Sequence, residues 1–287
     1  MFYRDDSRRN PYQGRRQQRR NVISSRSKRI AMASLFGFLG LWYLTPVSDW
    51  IVARVLIFVP IEADIDLGRK ALRSLGYSTV TDSWNVNVIG RQLVAQLDEP
   101  RSLPWTFGVV QADIINAFAL PGGIVRISDT LLRQLKLSDA ELAALIGHEM
   151  GHILHRHSQA RLLQDQLIGY LFRAVFYEDG DDFRESFGEA VGELLLKSAT
   201  FLGKQSFSRK NEYEADAKAW ELLLLSKRYS PIAVESLLQK LWDVIGGSGD
   251  TSWESTHPGT KDRIEALKTR WKELPLLERQ RLGLLKE

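Results

Sequence analysis

The sequence contains no cysteine among its 287 residues. This absence excludes a disulfide framework, a thiolate zinc site and a cysteine nucleophile. Any metal ion must therefore be bound by histidine and carboxylate side chains. The composition, with 44% hydrophobic and 26% charged residues, is typical of a folded globular protein and not of an intrinsically disordered one.

The net positive charge of the chain comes from its N-terminal segment. The first 29 residues hold ten basic and two acidic side chains, a net charge of +8, so the remaining residues together carry −4. A nucleic-acid-binding domain would place its positive charge on a folded surface. We therefore expect no specific nucleic-acid partner, and we expect the basic tail, residues 1–29, to contact anionic lipid.

Only one uncharged run is long enough to span a bilayer. Residues 30–47 read IAMASLFGFLGLWYLTPV, which is near the lower limit for a transmembrane helix. No small-x-small cleavage site follows, so an uncleaved anchor over residues 30–48 is favoured over a cleaved signal peptide, a mitochondrial transit peptide or a buried core helix. The basic flank predicts that the N-terminus lies on the cytoplasmic or matrix side and the rest of the chain on the opposite side.

Beyond the anchor the pattern indicates a single folded domain. A short apolar juxtamembrane segment, residues 49–61, precedes this domain over residues 62–275, and a C-terminal tail follows over residues 276–287. Apolar spacing and turn residues predict helices over 62–75, 82–97, 231–245 and 260–273, long helices from Ser138 and from Ser208, and strands over 105–111, 115–120 and 124–127. A few strands among many helices indicate an α+β fold.

Four of the five histidines lie within ten residues, in the sequence His148-Glu-Met-Gly-His152-Ile-Leu-His155-Arg-His157. Because His148 and His152 are four residues apart on a helix, both rings project from one face, in a spacing that suits two positions around a zinc ion. Glu149 lies about 100° further around the helix, where it can accept a proton from water without binding the metal. The alternative is a helix with structural histidines, but ionisable groups are rarely fully buried unless they are paired.

The third zinc ligand is expected from another helix, since one helix cannot easily wrap three rings around one tetrahedral ion. Glu212 and Asp216 are four residues apart on the later helix, so one carboxylate can bind zinc while the other accepts the second N–H of a ligating histidine. Glu214 is interpreted as surface charge, His155 as a solvent-facing or packing residue, and His157 as a packing or supporting residue on the opposite side. Without the histidine motif, the three acids would be interpreted as a solvated helix face.

Four segments in matching order, HEMGHILHRH, NEYEADAKAW, NAFALPGG and STHPGTKDRI, resemble the landmarks of the HtpX/BepA/Oma-type zinc metallopeptidases. That family also contains the CAAX prenyl-protein endopeptidase. The resemblance spans residues 62–267 and implies a mainly helical, zincin-like metalloprotease domain with a small β-sheet. The region between the histidine motif and Glu212 offers no second span, because residues 162–176 include Asp165 and Arg173; this favours the BepA/Oma side of the family over multi-span HtpX.

The resemblance also implies the roles of five side chains and the cofactor. It assigns His148, His152 and Glu212 as ligands of one Zn2+ ion per chain. Glu149 would be the general base that, with the zinc, activates the attacking water. Asp216 would accept the second N–H of a ligating histidine.

A second group of residues is implied to act on the substrate. Asn116, Ala117, Phe118 and Ala119 would line the cleft and pair with a protein or peptide substrate in extended conformation. His257 would either stabilise the negative charge of the transition state or occupy a zinc position and hold the enzyme inactive.

The function implied by the resemblance is that of a membrane-anchored zinc metalloendopeptidase. It would cleave unfolded, damaged or regulated envelope or membrane proteins, with its catalytic domain on the periplasmic or intermembrane-space side of an inner membrane. Its expected partners are polypeptide substrates and the lipid bilayer. The alternatives are a membrane-tethered zinc-binding adaptor or chaperone-like protein with little proteolysis, a lipid or nucleic-acid binder that acts through its tail, and a zinc enzyme that attacks esters.

Overall fold

The computed structural model describes residues 59–97, 103–164, 206–245 and 252–283, together with isolated positions before residue 59. The chain divides into two compact units, Met1–Pro46 and Val47–Glu287, and the elements named below belong to the second. The basic tail, nearly all of the predicted anchor, most of the juxtamembrane segment and residues 165–176 lie outside the described residues. No helix formed by the described residues is long and apolar enough to cross a membrane.

Helices dominate the described part of the chain, and the strands form one small sheet. The helices are α1 (Ile61–Leu75), α2 (Val86–Val94), α3 (Asp129–Leu135), α4 (Asp139–Leu154), α5 (Arg209–Ser226), α6 (Ala233–Ile245), α7 (Ser252–Thr256), α8 (Thr260–Glu273) and α9 (Leu276–Gly283). The strands are β1 (Thr79–Val80), β2 (Thr106–Val110), β3 (Ala117–Leu120) and β4 (Ile124–Ser128). This arrangement confirms the predicted α+β class.

The predicted helix over residues 82–97 is shorter in the structure because a capping turn occupies its start. The Asp82 carboxylate accepts hydrogen bonds from the backbone N–H groups of Trp84, Val86 and Asn87. These contacts satisfy N–H groups that have no partner within the first turn of a helix. Helix α2 therefore begins at Val86 and not at Asp82.

The sheet places β3 at one edge. The strand order is β1-β2-β4-β3, with β2 parallel to β4 and β3 antiparallel to β4. Pro121, Gly122 and Gly123 connect β3 to β4, so the two predicted strands form a hairpin. Gly122 and Gly123 have φ values of 78° and 86°, a conformation that residues with a Cβ atom rarely adopt.

Helix α4 carries the histidine motif and begins with a capping box. Ser138 Oγ accepts the backbone N–H of Glu141, and the Glu141 carboxylate accepts the backbone N–H of Ser138. The same carboxylate accepts hydrogen bonds from Ser236 Oγ at 2.7 Å and from Lys240 Nζ at 2.6 Å. Glu141 therefore both caps α4 and ties it to α6.

Small residues bring α4 and α5 close together. A Cβ atom added at Gly151 would lie 2.8 Å from Ala215 Cα, and one added at Gly147 would lie 3.2 Å from Ala219 Cα. Nonbonded carbon atoms are normally about 3.5–4.0 Å apart, so side chains at either glycine would push α5 away. The close contact between α4 and α5 therefore depends on glycine at both positions.

A turn at residues 155–156 follows the end of α4. Arg156 adopts a left-handed conformation with φ 54° and is buried. Its guanidinium donates hydrogen bonds to the Asp64 carboxylate at 2.8 and 2.6 Å, to the Val59 carbonyl at 2.9 Å and to the Leu56 carbonyl. The turn leads into a further helical stretch over residues 157–164.

Candidate metal centre

Donor atoms of three side chains converge between α4 and α5. His148 Nε2 lies 3.1 Å from His152 Nε2, and these two nitrogens lie 3.5 and 3.4 Å from the carboxylate oxygens of Glu212. Ligands that bind zinc tetrahedrally at about 2.1 Å are about 3.4 Å apart. The separations of the three side chains therefore fit one zinc ion bound between the two helices.

His257 brings a fourth donor, its ring nitrogen, to the same place. Its ring stacks on Trp253, with the ring centroids 4.3 Å apart. His257 Nδ1 lies 3.2 Å from Glu212 Oε1 and 3.4 Å from His148 Nε2. The donor atoms of His148, His152, Glu212 and His257 all lie within 4.8 Å of one another, so these buried side chains can together hold a metal ion.

Glu149 faces this donor set as a buried carboxylate. Neither of its oxygens has a hydrogen-bond partner among the described residues, and its Oε1 lies 3.7 Å from His257 Nε2. Burial raises the pKa of Glu149, and attraction to His257 and His148 only partly opposes this effect. Buried polar groups are nearly always hydrogen-bonded in folded proteins, so the unpaired oxygens fit a group that receives a proton within a loaded site.

Asp216 links His148 to a buried arginine. Asp216 Oδ1 lies 2.9 Å from His148 Nδ1. Arg263 donates from Nε and Nη2 to the two Asp216 oxygens, both at 2.7 Å, and from Nη1 to Glu212 Oε2 at 2.5 Å. Burial raises the pKa of Asp216, but Arg263 and His148 outweigh this effect and lower it strongly. An ionised Asp216 holds the proton of His148 on Nδ1 and leaves Nε2 free to bind metal.

His152 is supported by a different set of residues. His152 Nδ1 lies 2.9 Å from His157 Nδ1, and His157 Nε2 lies 3.1 Å from Glu214 Oε2. Phe207 stacks on the His152 ring with centroids 3.9 Å apart. Burial lowers the pKa of His152 well below its usual value, which favours the neutral form that binds metal.

Two interpretations of side-chain direction need correction here. His157 does not lie on the side opposite His152, because α4 ends at Leu154 and the left-handed turn at Arg156 precedes His157. Glu214 is not simply surface charge, because it is only partly exposed and its hydrogen bond with His157 lowers its pKa. His155 is exposed, in agreement with its interpretation as solvent-facing.

The predicted substrate strand lies beside the histidine helix. Residues 116–119 include the first three residues of the edge strand β3, which packs against α4. The Asn116 backbone N–H donates to Ser128 Oγ at 3.2 Å, and its carbonyl accepts the Ser128 backbone N–H at 2.9 Å. Asn116 Oδ1 is buried without a hydrogen-bond partner among the described residues, whereas Ala117, Phe118 and Ala119 are buried apolar residues.

A comparison with known proteins finds a family match that includes the donor residues and the predicted substrate strand. Residues 82–271 match peptidase family M48. The mitochondrial metalloendopeptidase OMA1 of Arabidopsis thaliana is 34% identical over 165 residues, which cover 58% of this chain and 31% of that protein. The beta-barrel assembly-enhancing protease of Yersinia pestis is 31% identical over 173 residues, covering 55% of this chain and 32% of that protein. Metalloprotease LoiP of Escherichia coli (strain K12) is 28% identical over 171 residues, covering 58% of this chain and 63% of that protein. The matched region thus spans about a third of the length of the first two relatives.

Proposed function

We propose that this chain, which belongs to peptidase family M48, is a zinc-dependent metalloendopeptidase. The observation that carries the proposal is the position of Glu149, whose buried and unpaired carboxylate faces a donor set with zinc geometry. A zinc-binding adaptor would not need such a group. Glu212 and Asp216 accept hydrogen bonds from Arg263, whereas the Glu149 oxygens accept none from the described residues, so Glu149 is available for proton transfer.

The proposed mechanism divides the chemistry between the metal and the chain. When bound, zinc acts as a Lewis acid that polarises a carbonyl oxygen and lowers the pKa of water. Glu149 accepts a proton from the attacking water and later donates it to the leaving amine, a role that its raised pKa favours. Asp216 and Arg263 act by positioning, because their hydrogen bonds orient His148 and Glu212.

The two candidate roles of His257 predict opposite effects of His257→Ala. If His257 Nε2, beside Glu149, donates a hydrogen bond to the developing negative charge, the variant will cleave more slowly. If His257 Nδ1, which lies within the donor set, occupies a zinc position and blocks the site, the variant will cleave faster. An unchanged rate would eliminate both roles.

The proposed substrates are extended polypeptides. A peptide in extended conformation would add as a strand alongside β3 and gain affinity from main-chain hydrogen bonds. Such binding favours unfolded, damaged or flexible segments, because a folded substrate cannot present a free strand. We propose envelope or membrane proteins as the substrate class, and the names of the relatives, a mitochondrial metalloendopeptidase and a beta-barrel assembly-enhancing protease, support this choice.

We further propose that residues 30–48 anchor the enzyme in an inner membrane, with residues 1–29 on the cytoplasmic or matrix side. The uncharged run and its basic flank support this topology. Alkaline carbonate extraction should leave the full-length chain in the membrane pellet, and release of the intact chain would contradict the anchor. Removal of residues 1–29 should leave peptidase activity intact, whereas loss of activity would favour a function of the tail.

The decisive variant for the peptidase is Glu149→Gln. We expect a loss of about 10²–10⁴-fold in cleavage of unfolded casein, with the zinc content of the protein unchanged. Glu221→Gln, on the exposed side of α5 where Glu221 pairs with Lys218, is the matched control and should retain both properties. Equal cleavage by the wild type and Glu149→Gln would reject the peptidase, and loss of zinc from Glu149→Gln would make Glu149 a ligand.

A further inference from the structure

We propose that His157 and Glu214 position the zinc ligand His152 through two consecutive hydrogen bonds, and that these two hydrogen bonds set the affinity of the site for zinc. The proposal rests on the zinc centre proposed above, because it assigns His152 Nε2 to the metal. Neither His157 nor Glu214 belongs to the group of donors that surrounds the ion. Both would therefore act through His152.

The positions of the protons follow from the geometry. His152 Nε2 points at the donor set, 3.1 Å from His148 Nε2 and 3.4 Å from Glu212 Oε1, so its lone pair faces the metal. A neutral imidazole that binds metal through Nε2 carries its hydrogen on Nδ1. His152 Nδ1 therefore donates to His157 Nδ1, 2.9 Å away. His157 must then carry its own hydrogen on Nε2, which donates to Glu214 Oε2 at 3.1 Å.

Packing holds the two rings in this arrangement. Phe207 stacks on the face of His152 with an interplanar angle of 21°, which leaves the ring edge to be oriented by His157. His157 is itself buried, with 4% of its surface exposed. The left-handed turn at Arg156 is what returns His157 to the side of His152. Rotation of His152 about its own axis would therefore break the hydrogen bond to His157.

The same helix supplies a carboxylate for each ligating histidine. Asp216 accepts directly from His148 Nδ1, whereas Glu214 receives the hydrogen bond of His152 through the intervening ring of His157. Glu212, on the same helix, faces the metal site. Outer carboxylates of this kind orient zinc-binding histidines and increase their basicity. The link from His152 through His157 to Glu214 had no clear signal in the sequence, because it depends on the left-handed turn at Arg156.

A competing use of these side chains is a second metal site. The donor atoms of His155, His157 and Glu214 lie within 4.8 Å of one another. A metal at this place would take the lone pair of His157 Nε2 and move the hydrogen of that ring to Nδ1. That hydrogen would then face the N–H of His152 across 2.9 Å. Support of His152 and a second metal site are therefore mutually exclusive uses of His157.

The test compares variants of the full-length protein by zinc competition with a chromogenic chelator and by the visible absorption of the cobalt-substituted form. His157→Phe keeps a ring of similar shape without nitrogen, and we expect it to raise the zinc dissociation constant about 10–100-fold and to alter the cobalt spectrum. His157→Asn places an oxygen acceptor near the position of Nδ1 and should recover most of the affinity. Glu214→Gln should weaken binding less, and Glu221→Gln should leave it unchanged.

Each alternative outcome has a separate meaning. If His157→Phe binds zinc as tightly as the wild type does, the inference is overturned. If the wild type still binds one zinc ion per chain, the proposed function is unaffected by that result. Equal losses in His157→Phe and His157→Asn, with lowered melting temperatures of both metal-free proteins, would show a packing role and also overturn it. A second zinc ion per wild-type chain that is lost in His155→Phe would replace the support of His152 with a second metal site. Absence of zinc from the wild type would reject the proposed function itself.

Discussion

Arg263 and Asp216 form a buried, bidentate ion pair. Arg263 Nε lies 2.7 Å from Asp216 Oδ2, and Arg263 Nη2 lies 2.7 Å from Asp216 Oδ1. Both residues are almost fully buried. Because the same guanidinium also contacts Glu212, one arginine from α8 balances the charge of two carboxylates from α5 and connects a third helix to the metal centre.

The first prediction concerns loss of this arginine. Arg263→Met leaves two buried carboxylates without their cation, and removal of one partner of a buried ion pair typically costs about 3–5 kcal/mol. We expect a loss of this size in the free energy of unfolding measured with urea, together with weaker zinc binding. Arg263→Lys should also bind zinc more weakly than the wild type, because an ammonium group cannot form the bidentate hydrogen bonds to Asp216.

An exposed arginine provides the control for this prediction. Arg209 pairs with Asp262 at 2.7 Å, but the two side chains are 69% and 56% exposed. Surface pairs of this kind contribute about 0–1 kcal/mol, so Arg209→Met should leave the free energy of unfolding nearly unchanged. Similar losses in Arg209→Met and Arg263→Met would contradict the buried role of Arg263.

The second prediction concerns the contact between α4 and α5. In Gly151→Ala the new Cβ atom would lie 2.8 Å from Ala215 Cα, so the helix that carries Glu212 must move. Overpacking of this kind costs about 1–3 kcal/mol, against a helix-propensity gain of about 1 kcal/mol. We expect a net loss of stability in urea unfolding and weaker zinc binding. Gly283→Ala, with no atom within 4 Å of the new Cβ, should lose neither stability nor zinc affinity, and equal losses in the two variants would refute the close contact.

The third prediction concerns the pH dependence of stability. Burial raises the pKa of Glu141, but hydrogen bonds from Lys240, Ser138 and Ser236 outweigh this effect, so its pKa lies below the usual 4.5. A lowered pKa adds stability that is fully present above the unfolded-state pKa and is lost as the pH falls through the folded-state pKa. Glu141→Gln should therefore be less stable than the wild type at neutral pH, by a margin that shrinks in acid. Urea unfolding over a pH series measures this margin.

Glu235 is a control of opposite sign for the acid series. Burial raises the pKa of Glu235, so the charged form opposes folding as the pH rises above the unfolded-state pKa. Glu235→Gln should gain stability relative to the wild type over that range, whereas Glu141→Gln should lose it. A stability difference that does not change with pH in either variant would contradict the assigned pKa direction.

The fourth prediction concerns the buried pair of Arg156 and Asp64. Arg156→Met should cost about 3–5 kcal/mol, because it leaves Asp64 buried without its cation. The double variant, with Asp64→Leu added to Arg156→Met, should recover part of this loss. A double-mutant cycle on the free energy of unfolding should therefore give a coupling of about 0.5–3 kcal/mol, and additive effects of the two substitutions would contradict the pairing.

The sequence predicts those parts of the site whose geometry lies within one helix. His148 and His152, like Glu212 and Asp216, are four residues apart, and the helical repeat alone places each pair on one face. These relationships depend on local geometry, and local geometry is what residue spacing encodes.

The remaining support of the site depends on contacts between distant segments. His157 reaches His152 only because Arg156 adopts a positive φ, and helical spacing extended past Leu154 places it on the wrong side. Arg263 meets Asp216 across 47 positions of the chain, a contact that no local pattern predicts. The start of α2 was likewise misplaced, because Asp82 caps the helix from outside it.

The central claim is that one zinc ion is bound between α4 and α5 by His148, His152 and Glu212. The most direct test is anomalous X-ray diffraction at the zinc absorption edge from crystals of the zinc-loaded protein. We expect a single peak about 2.0–2.2 Å from the Nε2 atoms of His148 and His152 and from a carboxylate oxygen of Glu212. A zinc-loaded crystal with no peak at this position, or with its only peak beside His155, would contradict the claim.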